Sequence, residues 1–260
     1  MPKINQNERA ARTWPFLTRL AANHDTATYQ ELGRHLGVHH RAIRFVLHEI
    51  QDYCLSEKLP PITILIVNQK RVPGDGFIAW DIDDLDRGYE LVYSYPWGDL
   101  KNPFGFAKDG STVESIAEGV FRHSITPKDA YSRVKVRGMA QAVFRAALLK
   151  AYSGRCALSE VYSPSLLEAA HIIPWSEAKP DQRISPSNGV LLSTINHRFF
   201  DLGWLMLNED YTVTADVSQT RAKSLERELL TELDGKKLRL PSDRSHWPDP
   251  SCIRKRNENR

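Results

Sequence analysis

The segment AAHIIPWSEAKPDQRISPSNGVLLSTINHRFFD, residues 169–201, joins short apolar runs to polar residues at their ends. LLEAAHIIPW, in which the segment begins, predicts a short strand that ends at His171. NGVLLSTINHRFFDLGWL predicts a second strand, followed by a helix that begins near Ser193 or Thr194. Two strands followed by a helix make a ββα unit, and the rest of the chain is best understood from this unit outward.

Polar residues stand at fixed places in the ββα unit. His171 ends the first strand, Asn188 lies in the loop, and His197 lies on the helix. Asp201 follows His197 by four residues, so both side chains project from one helix face. These residues indicate a metal-dependent active site as one interpretation of the segment. A neutral imidazole, with a pKa of about 6.5, can act as a base, and a histidine with one carboxylate suits a lightly held Mg²⁺.

The arrangement resembles the HNH endonuclease family, the ββα-metal nucleases, through AHIIP, NGVLL and NHRFFD. The flanking QAVFRAALLKAYSGRCALSE and LDGKKLRLPSDRSHWPDPS are similar to the bacterial restriction-type subgroup, so the resemblance covers residues 134–251. It implies that His171 is the general base and that Asn188 fixes the loop and orients this histidine. It also implies that His197 binds the metal, and that Asp201 stands where colicin nucleases carry a second helix ligand. The expected catalytic residues are therefore His171, Asn188 and His197.

One position departs from the family pattern. Most members carry an aspartate or histidine directly before the base histidine, as a metal ligand, whereas this chain has Ala170. Asp201 is the first choice for the missing ligand and Glu168 is the second. Glu168 lies three residues before the base on the same strand and should point to the opposite face. The expected metal ligands are His197 and Asp201, and the expected cofactor is Mg²⁺, with Mn²⁺ or another divalent cation as a substitute.

The same residues also allow ordinary structural interpretations. His171 fits a hydrogen-bonded core histidine, and Asn188 before glycine is typical of a turn. Asp201 fits an ion pair with Arg198 on the helix surface. The joint order and spacing of the motif favour the nuclease interpretation. Candidate phosphate contacts are Arg145, Arg155 and Arg198.

A second motif lies near the start of the chain, in TYQELGRHLGVHHRAIRFVLHEIQDYC, residues 28–54. Thr28 followed by Glu31 is a capping-box signature for a helix start, and Gly37 can end that helix. The apolar residues that follow predict a second helix, so the pair indicates a helix-turn-helix. The second helix would expose the candidate DNA-binding residues His39, His40, Arg41 and Arg44, together with His48. The alternative is a helical hairpin that does not meet DNA.

The stretch from Thr28 to Phe77 resembles the winged-helix domain of alkyltransferase-like DNA repair proteins. The resemblance lies in TYQELG, the basic RAIRFVL helix, LPP and PGDGF. In this interpretation ITILIV forms a strand and PGDG belongs to the wing. That family carries its alkyl-accepting cysteine in a Pro-Cys-His-Arg segment, where this chain has PITI at residues 61–64. Alkyl transfer is therefore not implied, and the DNA-docking fold alone carries over.

The predicted fold class is α+β, with three segments. Residues 1–77 form a winged helix-turn-helix DNA-binding domain, residues 78–133 an irregular connector that packs on its neighbours, and residues 134–260 the ββα-metal (HNH) nuclease domain. The apolar share of 41% and charged share of 26% are ordinary for a globular protein. The net charge of +3 is mild, but HHRAIR, RVKVRG and RKRNENR are local basic clusters that can track phosphates.

The remaining composition bears on location. No run of about 18 apolar residues occurs, so neither a transmembrane helix nor a membrane partner is expected. MPKINQNERAARTW lacks the apolar core of a secretory signal. Cys54, Cys156 and Cys252 are scattered without a CxxC pair, which argues against disulfides and against the four-cysteine zinc cluster of many HNH relatives. These features predict a cytoplasmic protein.

The sequence thus predicts a Mg²⁺-dependent HNH endodeoxyribonuclease of restriction type that acts on double-stranded DNA. Cutting both strands with one site per chain favours a homodimer. One alternative is a modification-dependent, type IV-like nuclease that recognises an altered base. Another is a non-catalytic DNA-binding protein with a degenerate nuclease fold, which the alanine before the base histidine keeps open.

Overall fold

The computed structural model of the chain describes residues 4–74, 77–134 and 137–259. These residues combine helices with short two-stranded sheets. They fall into two compact units, one made of Met1–Thr112 with Val134–Met139, the other of Val113–Arg133 with Ala140–Arg260. Within the described residues, no helix is both long enough and apolar enough to cross a membrane.

The first unit is built mainly from helices. Its elements are α1 (Gln6–Ala22), β1 (Ala27–Thr28), α2 (Tyr29–Leu36), α3 (Ile43–Ser56), β2 (Ile66–Val67) and α4 (Leu85–Ser94). The strands β1 and β2 pair in parallel, with Ala27 opposite Ile66. The core forms where α1 packs on α3, around the buried ring of Trp14.

The structure confirms the two predicted helices, with the capping box and the glycine end of the first, as α2 and α3. Thr28 accepts a hydrogen bond from the backbone N–H of Glu31, whose carboxylate accepts from the backbone N–H of Thr28, so the capping box is complete. Gly37 ends α2 in the left-handed region, at φ 68°, which glycine adopts without steric cost. A single 3-10 turn over His40–Ala42 then leads into α3. The second helix begins later than predicted: His39, His40 and Arg41 lie before α3, and only Arg44 and His48 lie on it.

The predicted strand ITILIV is wrong over most of its length. Ile62–Leu65 forms a 3-10 turn, and only Ile66–Val67 is a strand. Prolines at 60 and 61 precede the turn, and their carbonyls accept the backbone hydrogen bonds of Ile62 and Ile64. All four turn residues are buried, so the apolar run reflects burial in the core and not strand periodicity. Within the predicted wing, Asp75 and Gly76 lie outside the described residues.

Residues 78–133, predicted as a connector, are divided between the two units. Residues 78–112 belong to the first unit, where Trp97 and Phe104 place their rings 5.8 Å and 6.2 Å from that of Trp14. Residues 113–133 belong to the second unit. Buried aromatic side chains therefore join the middle of the chain to the folded cores. These residues have no regular spacing in the sequence, so periodicity does not predict their packing.

The second unit contains the remaining helices and two antiparallel hairpins. Its elements are α5 (Val113–Phe121), α6 (Pro127–Val134), α7 (Arg137–Ala151), β3 (Leu167–His171), β4 (Gly189–Ser193), α8 (Thr194–Leu202), β5 (Leu205–Leu207), β6 (Val213–Ala215), α9 (Leu225–Leu233) and α10 (Pro250–Glu258). Residues of α6 and α7 between 134 and 139 are counted with the first unit. The strands β3 and β4 pair from Leu167 opposite Ser193 to His171 opposite Gly189.

The ββα unit predicted from the sequence is confirmed as β3, β4 and α8. Ser193 caps α8 through its side chain, which accepts from the backbone N–H of Asn196. Gly203 ends the helix at φ 79°. Asn188 ends a 3-10 turn, as the turn interpretation expected, whereas Gly189 is the first residue of β4. Gly189 is extended, and a Cβ atom there would lie 2.5 Å from the ring of Phe144 on α7, so glycine is required by packing.

Candidate active site

His197 lies between two carboxylates. Its Nδ1 contacts Oε2 of Glu168 on β3, and its Nε2 lies 3.6 Å from Oδ2 of Asp201, one turn later on α8. The imidazole is mostly buried, whereas both carboxylates are partly exposed to solvent. The predicted sharing of one helix face by His197 and Asp201 is therefore confirmed.

The position of Glu168 follows from the alternation of side chains along β3. Glu168 and Ala170 are two residues apart, so they share the face of the hairpin that α8 covers. This is the face on which HNH nucleases place the ligand that precedes the base histidine. Glu168 thus supplies a carboxylate to the face where Ala170 offers none. As predicted, its side chain points to the face opposite His171, and this is the face that α8 covers.

His171 lies on the other face of the hairpin, which packs on α7. Its ring stacks on Phe144 at 3.8 Å between centroids, with Trp175 edge-on at 5.8 Å. Its Nε2 lies 3.0 Å from the carbonyl oxygen of Arg183. A carbonyl only accepts hydrogen bonds, so Nε2 carries the proton and Nδ1 is the basic nitrogen of the neutral ring. The structure therefore separates His171 from His197 by the thickness of the hairpin.

Asn188 is a buried clamp on the loop between the strands. Asn188 immediately precedes β4 and is only 1% exposed. Its Oδ1 accepts from the N–H of Ile173 at 2.8 Å, and its Nδ2 donates to the carbonyls of Ile173 at 3.2 Å and Gln182 at 3.3 Å. Asn188 thus fixes the chain two residues after His171, in agreement with the expected loop-fixing role.

The three arginines predicted as phosphate contacts differ in their surroundings. Arg145 donates to the carbonyl oxygens of Leu167 and Pro164, so its guanidinium supports the start of β3. Arg155 pairs with Glu160. Arg198 is exposed on α8. Of the three, Arg198 has the position best suited to an incoming phosphate.

Two residues that support the site escaped the sequence analysis. Arg256 on α10 donates to the carbonyls of Ile172 at 2.9 Å and Phe200 at 3.0 Å, which ties the end of β3 to α8. Cys156 accepts from the backbone N–H of Ser193 at 3.2 Å. Burial raises the pKa of the Cys156 thiol, but several hydrogen bonds outweigh this and lower the pKa overall. Neither residue has a local motif, because both act through contacts distant in sequence.

The pair α2–α3 presents its predicted DNA-binding residues to solvent. His39, His40, Arg41 and Arg44 are all exposed. The rings of the two histidines lie 4.1 Å apart, and the Arg44 guanidinium lies over the ring of Phe45. A cavity of about 690 Å³ opens beside them, lined in part by Arg41 and Arg44. This surface offers cationic and aromatic groups together, as nucleic-acid surfaces do.

Comparison with known proteins identifies the ββα segment. Residues 156–208 match a protein-family model described as HNH endonuclease. These residues contain β3, the loop with Asn188, β4, and α8 with His197 and Asp201. No curated protein matches the chain. The family match supports a nuclease that acts on nucleic acid.

Proposed function

We propose that the chain is an HNH endodeoxyribonuclease of restriction type, which hydrolyses phosphodiester bonds of double-stranded DNA with a divalent cation. One observation carries the proposal. The segment similar to HNH endonucleases folds as a ββα unit in which His197 lies between Glu168 and Asp201.

His197 and Asp201 would hold the cation. Two ligands of one small cation lie about 3 Å apart when each bond is about 2.1 Å long. The separation of 3.6 Å between His197 Nε2 and Asp201 Oδ2 fits this with a small adjustment of side chains. Mg²⁺, or Mn²⁺ in its place, would neutralise negative charge on the phosphate and the leaving oxygen.

Glu168 is proposed as the residue that positions His197. Its carboxylate accepts a hydrogen bond from Nδ1–H, so the proton stays on Nδ1 and the Nε2 lone pair faces Asp201. Histidine ligands of metal ions commonly donate their second ring N–H to a carboxylate in this way. Glu168 would therefore hold His197 in the orientation that metal binding needs. It need not bind the cation itself.

His171 is proposed as the general base. The carbonyl of Arg183 fixes its tautomer, and Asn188 locks the residues that follow. The proposal places the phosphate beyond the end of β3, where the substrate would meet His171 from one face of the hairpin and the cation at His197 from the other. A neutral Nδ1 can there take the proton of an attacking water.

The face of α2–α3 is proposed to dock the duplex, with His39, His40, Arg41 and Arg44 toward DNA and Arg198 as a further phosphate contact. Arg145 is proposed to act by supporting β3. Because each chain has one such site, cutting of both strands favours a homodimer.

Plasmid cleavage tests the proposal. Wild-type protein with Mg²⁺ or Mn²⁺ is expected to convert supercoiled plasmid to nicked and linear forms. His171→Ala is expected to cut at least about 100-fold more slowly, the usual contribution of a general base. His24→Asn is a matched control, because this exposed histidine lies in the first unit at φ 53°, a conformation that asparagine tolerates. If the plasmid stays equally intact with wild type and with His171→Ala, the result would instead support the non-catalytic DNA-binding alternative.

A modification-dependent nuclease is the second candidate, and a cavity in the first unit favours it. The cavity of about 620 Å³ is lined by Tyr29, Phe45 and Phe77 and by Arg44 at its rim. The buried hydroxyl of Thr63 also lines it, and among the described residues no group hydrogen-bonds to this hydroxyl. Aromatic walls with a few buried polar groups, here Thr63, Gln51 and Gln6, suit an extrahelical base. Equal cleavage of modified and unmodified DNA would eliminate this candidate.

A further inference from the structure

A second group of metal-type ligands lies in the second unit, outside β3, β4 and α8. His123 follows α5, whereas Asp243 caps the short 3-10 turn that precedes α10 and His246 is the last residue of that turn. These three residues each present a ligand atom, and the three atoms lie within 4.8 Å of one another. We propose that His123, Asp243 and His246 bind one divalent transition-metal ion, Zn²⁺ in the first place.

The distances suit a tetrahedral ion. Oδ2 of Asp243 lies 3.5 Å from Nε2 of His123 and 4.0 Å from Nε2 of His246. Ligands about 2.0–2.1 Å from a tetrahedral ion are about 3.3 Å apart. The two imidazole rings are nearly parallel, with centroids 4.7 Å apart and planes inclined by 21°. An ion would therefore draw the three ligand atoms together from within 4.8 Å of one another to about 3.3 Å, and the rings would turn so that their nitrogens point at it.

Asp243 is already oriented toward the two rings. Its Oδ1 accepts hydrogen bonds from the Ser245 backbone N–H at 2.9 Å and from the Ser245 hydroxyl at 2.6 Å. Because Oδ1 is committed to capping the 3-10 turn, Oδ2 is the oxygen that faces the histidines. The backbone geometry of the turn thus fixes one carboxylate oxygen as the ligand.

His246 is held in a packed environment. It is 1% exposed, and its ring stacks between those of Phe121, at 5.2 Å, and His123. Its Nε2 lies 2.9 Å from the Phe121 carbonyl oxygen. Coordination through Nδ1 keeps this hydrogen bond, which is the usual support of a ligand histidine, and coordination through Nε2 replaces it. Either nitrogen belongs to a ring whose rotation the packing restricts.

His123 is the exposed member, and its backbone is unusual. Its φ of 57° lies in the left-handed region, which residues with a Cβ atom seldom adopt. This conformation brings its Nε2 to 2.7 Å from the Ser245 hydroxyl and within reach of Asp243.

The donor set selects the type of ion. Two imidazole nitrogens and one carboxylate suit Zn²⁺, Co²⁺ or Ni²⁺, whereas Mg²⁺ favours sites with more oxygen than nitrogen ligands. Three protein ligands leave the fourth position to water or to the Ser245 hydroxyl. Since His123 and Asp243 are far apart in sequence, a bound ion would cross-link the end of α5 to the segment before α10 and stabilise the second unit.

Metal titration tests the proposal without reference to nuclease activity. Full-length protein is freed of metal with a chelator, and Zn²⁺ binding is measured by calorimetry, with Co²⁺ absorption as a probe of tetrahedral geometry. The expected result is one Zn²⁺ per chain with intense visible Co²⁺ bands. Zn²⁺ is also expected to raise the midpoint of thermal unfolding, because it binds the folded state.

The variants separate this ion from the cation of the proposed nuclease site. Asp243→Asn keeps an oxygen for the cap, and His123→Ala changes an exposed residue, so both are expected to fold; circular dichroism verifies this. Each should weaken Zn²⁺ binding at least about 10-fold and abolish the Co²⁺ bands. His197→Ala and the control His24→Asn should retain both. If wild type binds no Zn²⁺, or if Asp243→Asn and His123→Ala bind it as tightly as wild type, the group is only a hydrogen-bonded cluster and the proposal is wrong.

Discussion

At the scale of single residues, the two ring nitrogens of His197 have different neighbours. Nδ1 faces Glu168, which lies on β3, and Nε2 faces Asp201, which lies on α8 like His197 itself. A carboxylate at Nδ1 fixes the tautomer and so determines which nitrogen can bind a cation. The division of roles between the two carboxylates therefore rests on which nitrogen each one faces.

We predict that Glu168→Ala raises the Mg²⁺ concentration needed for half-maximal cleavage by about 10–100-fold, because the orienting partner of a ligand histidine is lost. Cleavage rates measured across a Mg²⁺ titration give this value. The control is Glu232→Gln on α9, which removes an exposed ion pair between Glu232 and Lys236. An unchanged Mg²⁺ requirement in Glu168→Ala would refute the positioning role.

We predict that Asn188→Ala lowers the free energy of unfolding by about 1–3 kcal/mol, because it leaves buried backbone groups of the loop without partners. Urea denaturation measures the change. Asn208→Ala is the comparison, since that side chain bonds two threonine hydroxyls near the surface and should cost less. Equal losses in the two variants would show that the clamp adds nothing beyond an ordinary polar contact.

The roles of single residues were only partly accessible to sequence reasoning. The motif placed His171, Asn188 and His197 correctly in their elements because their spacing is local. The contact of Glu168 with His197 depends on the packing of α8 on one face of β3, and alternation along the strand was the signal for it. The separation of His171 from α8 depends on the stacking ring of Phe144, for which the sequence carries no comparable signal.

At the scale of elements, the boundaries that local chemistry determines were predicted well. The capping box of α2, the strands β3 and β4 and the start of α8 all match. The strand prediction for ITILIV was wrong because a short apolar run is equally compatible with a strand and with a buried turn. Its burial is set by α1 and α3, which lie elsewhere in the sequence.

The capping box provides a prediction about pH. The backbone N–H of Thr28 bonds to the Glu31 carboxylate and lowers the pKa of that carboxyl below its ordinary value of 4.5. A lowered folded-state pKa contributes stability that is present above the unfolded pKa and is lost as pH falls through the folded pKa. Wild type should therefore exceed Glu31→Gln in unfolding free energy at pH 7, and the difference should shrink as pH falls below 4.5.

Urea denaturation at a series of pH values measures that difference. Thr28→Ala should lower the unfolding free energy by about 1 kcal/mol, because it removes the side-chain acceptor of the cap. A difference between wild type and Glu31→Gln that stays constant from pH 7 to pH 3 would contradict the assigned carboxylate role.

At the scale of the whole molecule, the chain joins two folded units with different surfaces. The first exposes histidines and arginines around α3, and the second carries the ββα unit. A net charge of +3 gives little overall attraction to DNA, so the proposed affinity would come from clustered cations. In the proposal, the first unit docks DNA and the second cleaves it.

We predict that the double variant Arg41→Ala, Arg44→Ala weakens DNA binding and reduces the slope of log K against log salt by about 1–2, since each phosphate contact contributes about 0.9. Fluorescence anisotropy at several salt concentrations measures the slope. Arg19→Ala is the control, an exposed arginine at the end of α1 in the same unit. An unchanged affinity and slope in the double variant would show that α3 does not face DNA.

The central claim is that the ββα unit cleaves DNA with a cation held at His197, and one measurement tests it most directly. Supercoiled plasmid is incubated with Mg²⁺ and either wild-type protein or His197→Ala, with circular dichroism to verify that the variant is folded. The claim predicts nicked and linear plasmid with wild type and no cleavage above buffer with His197→Ala. Cleavage by His197→Ala at the wild-type rate, or intact plasmid with wild type in both Mg²⁺ and Mn²⁺, would contradict it.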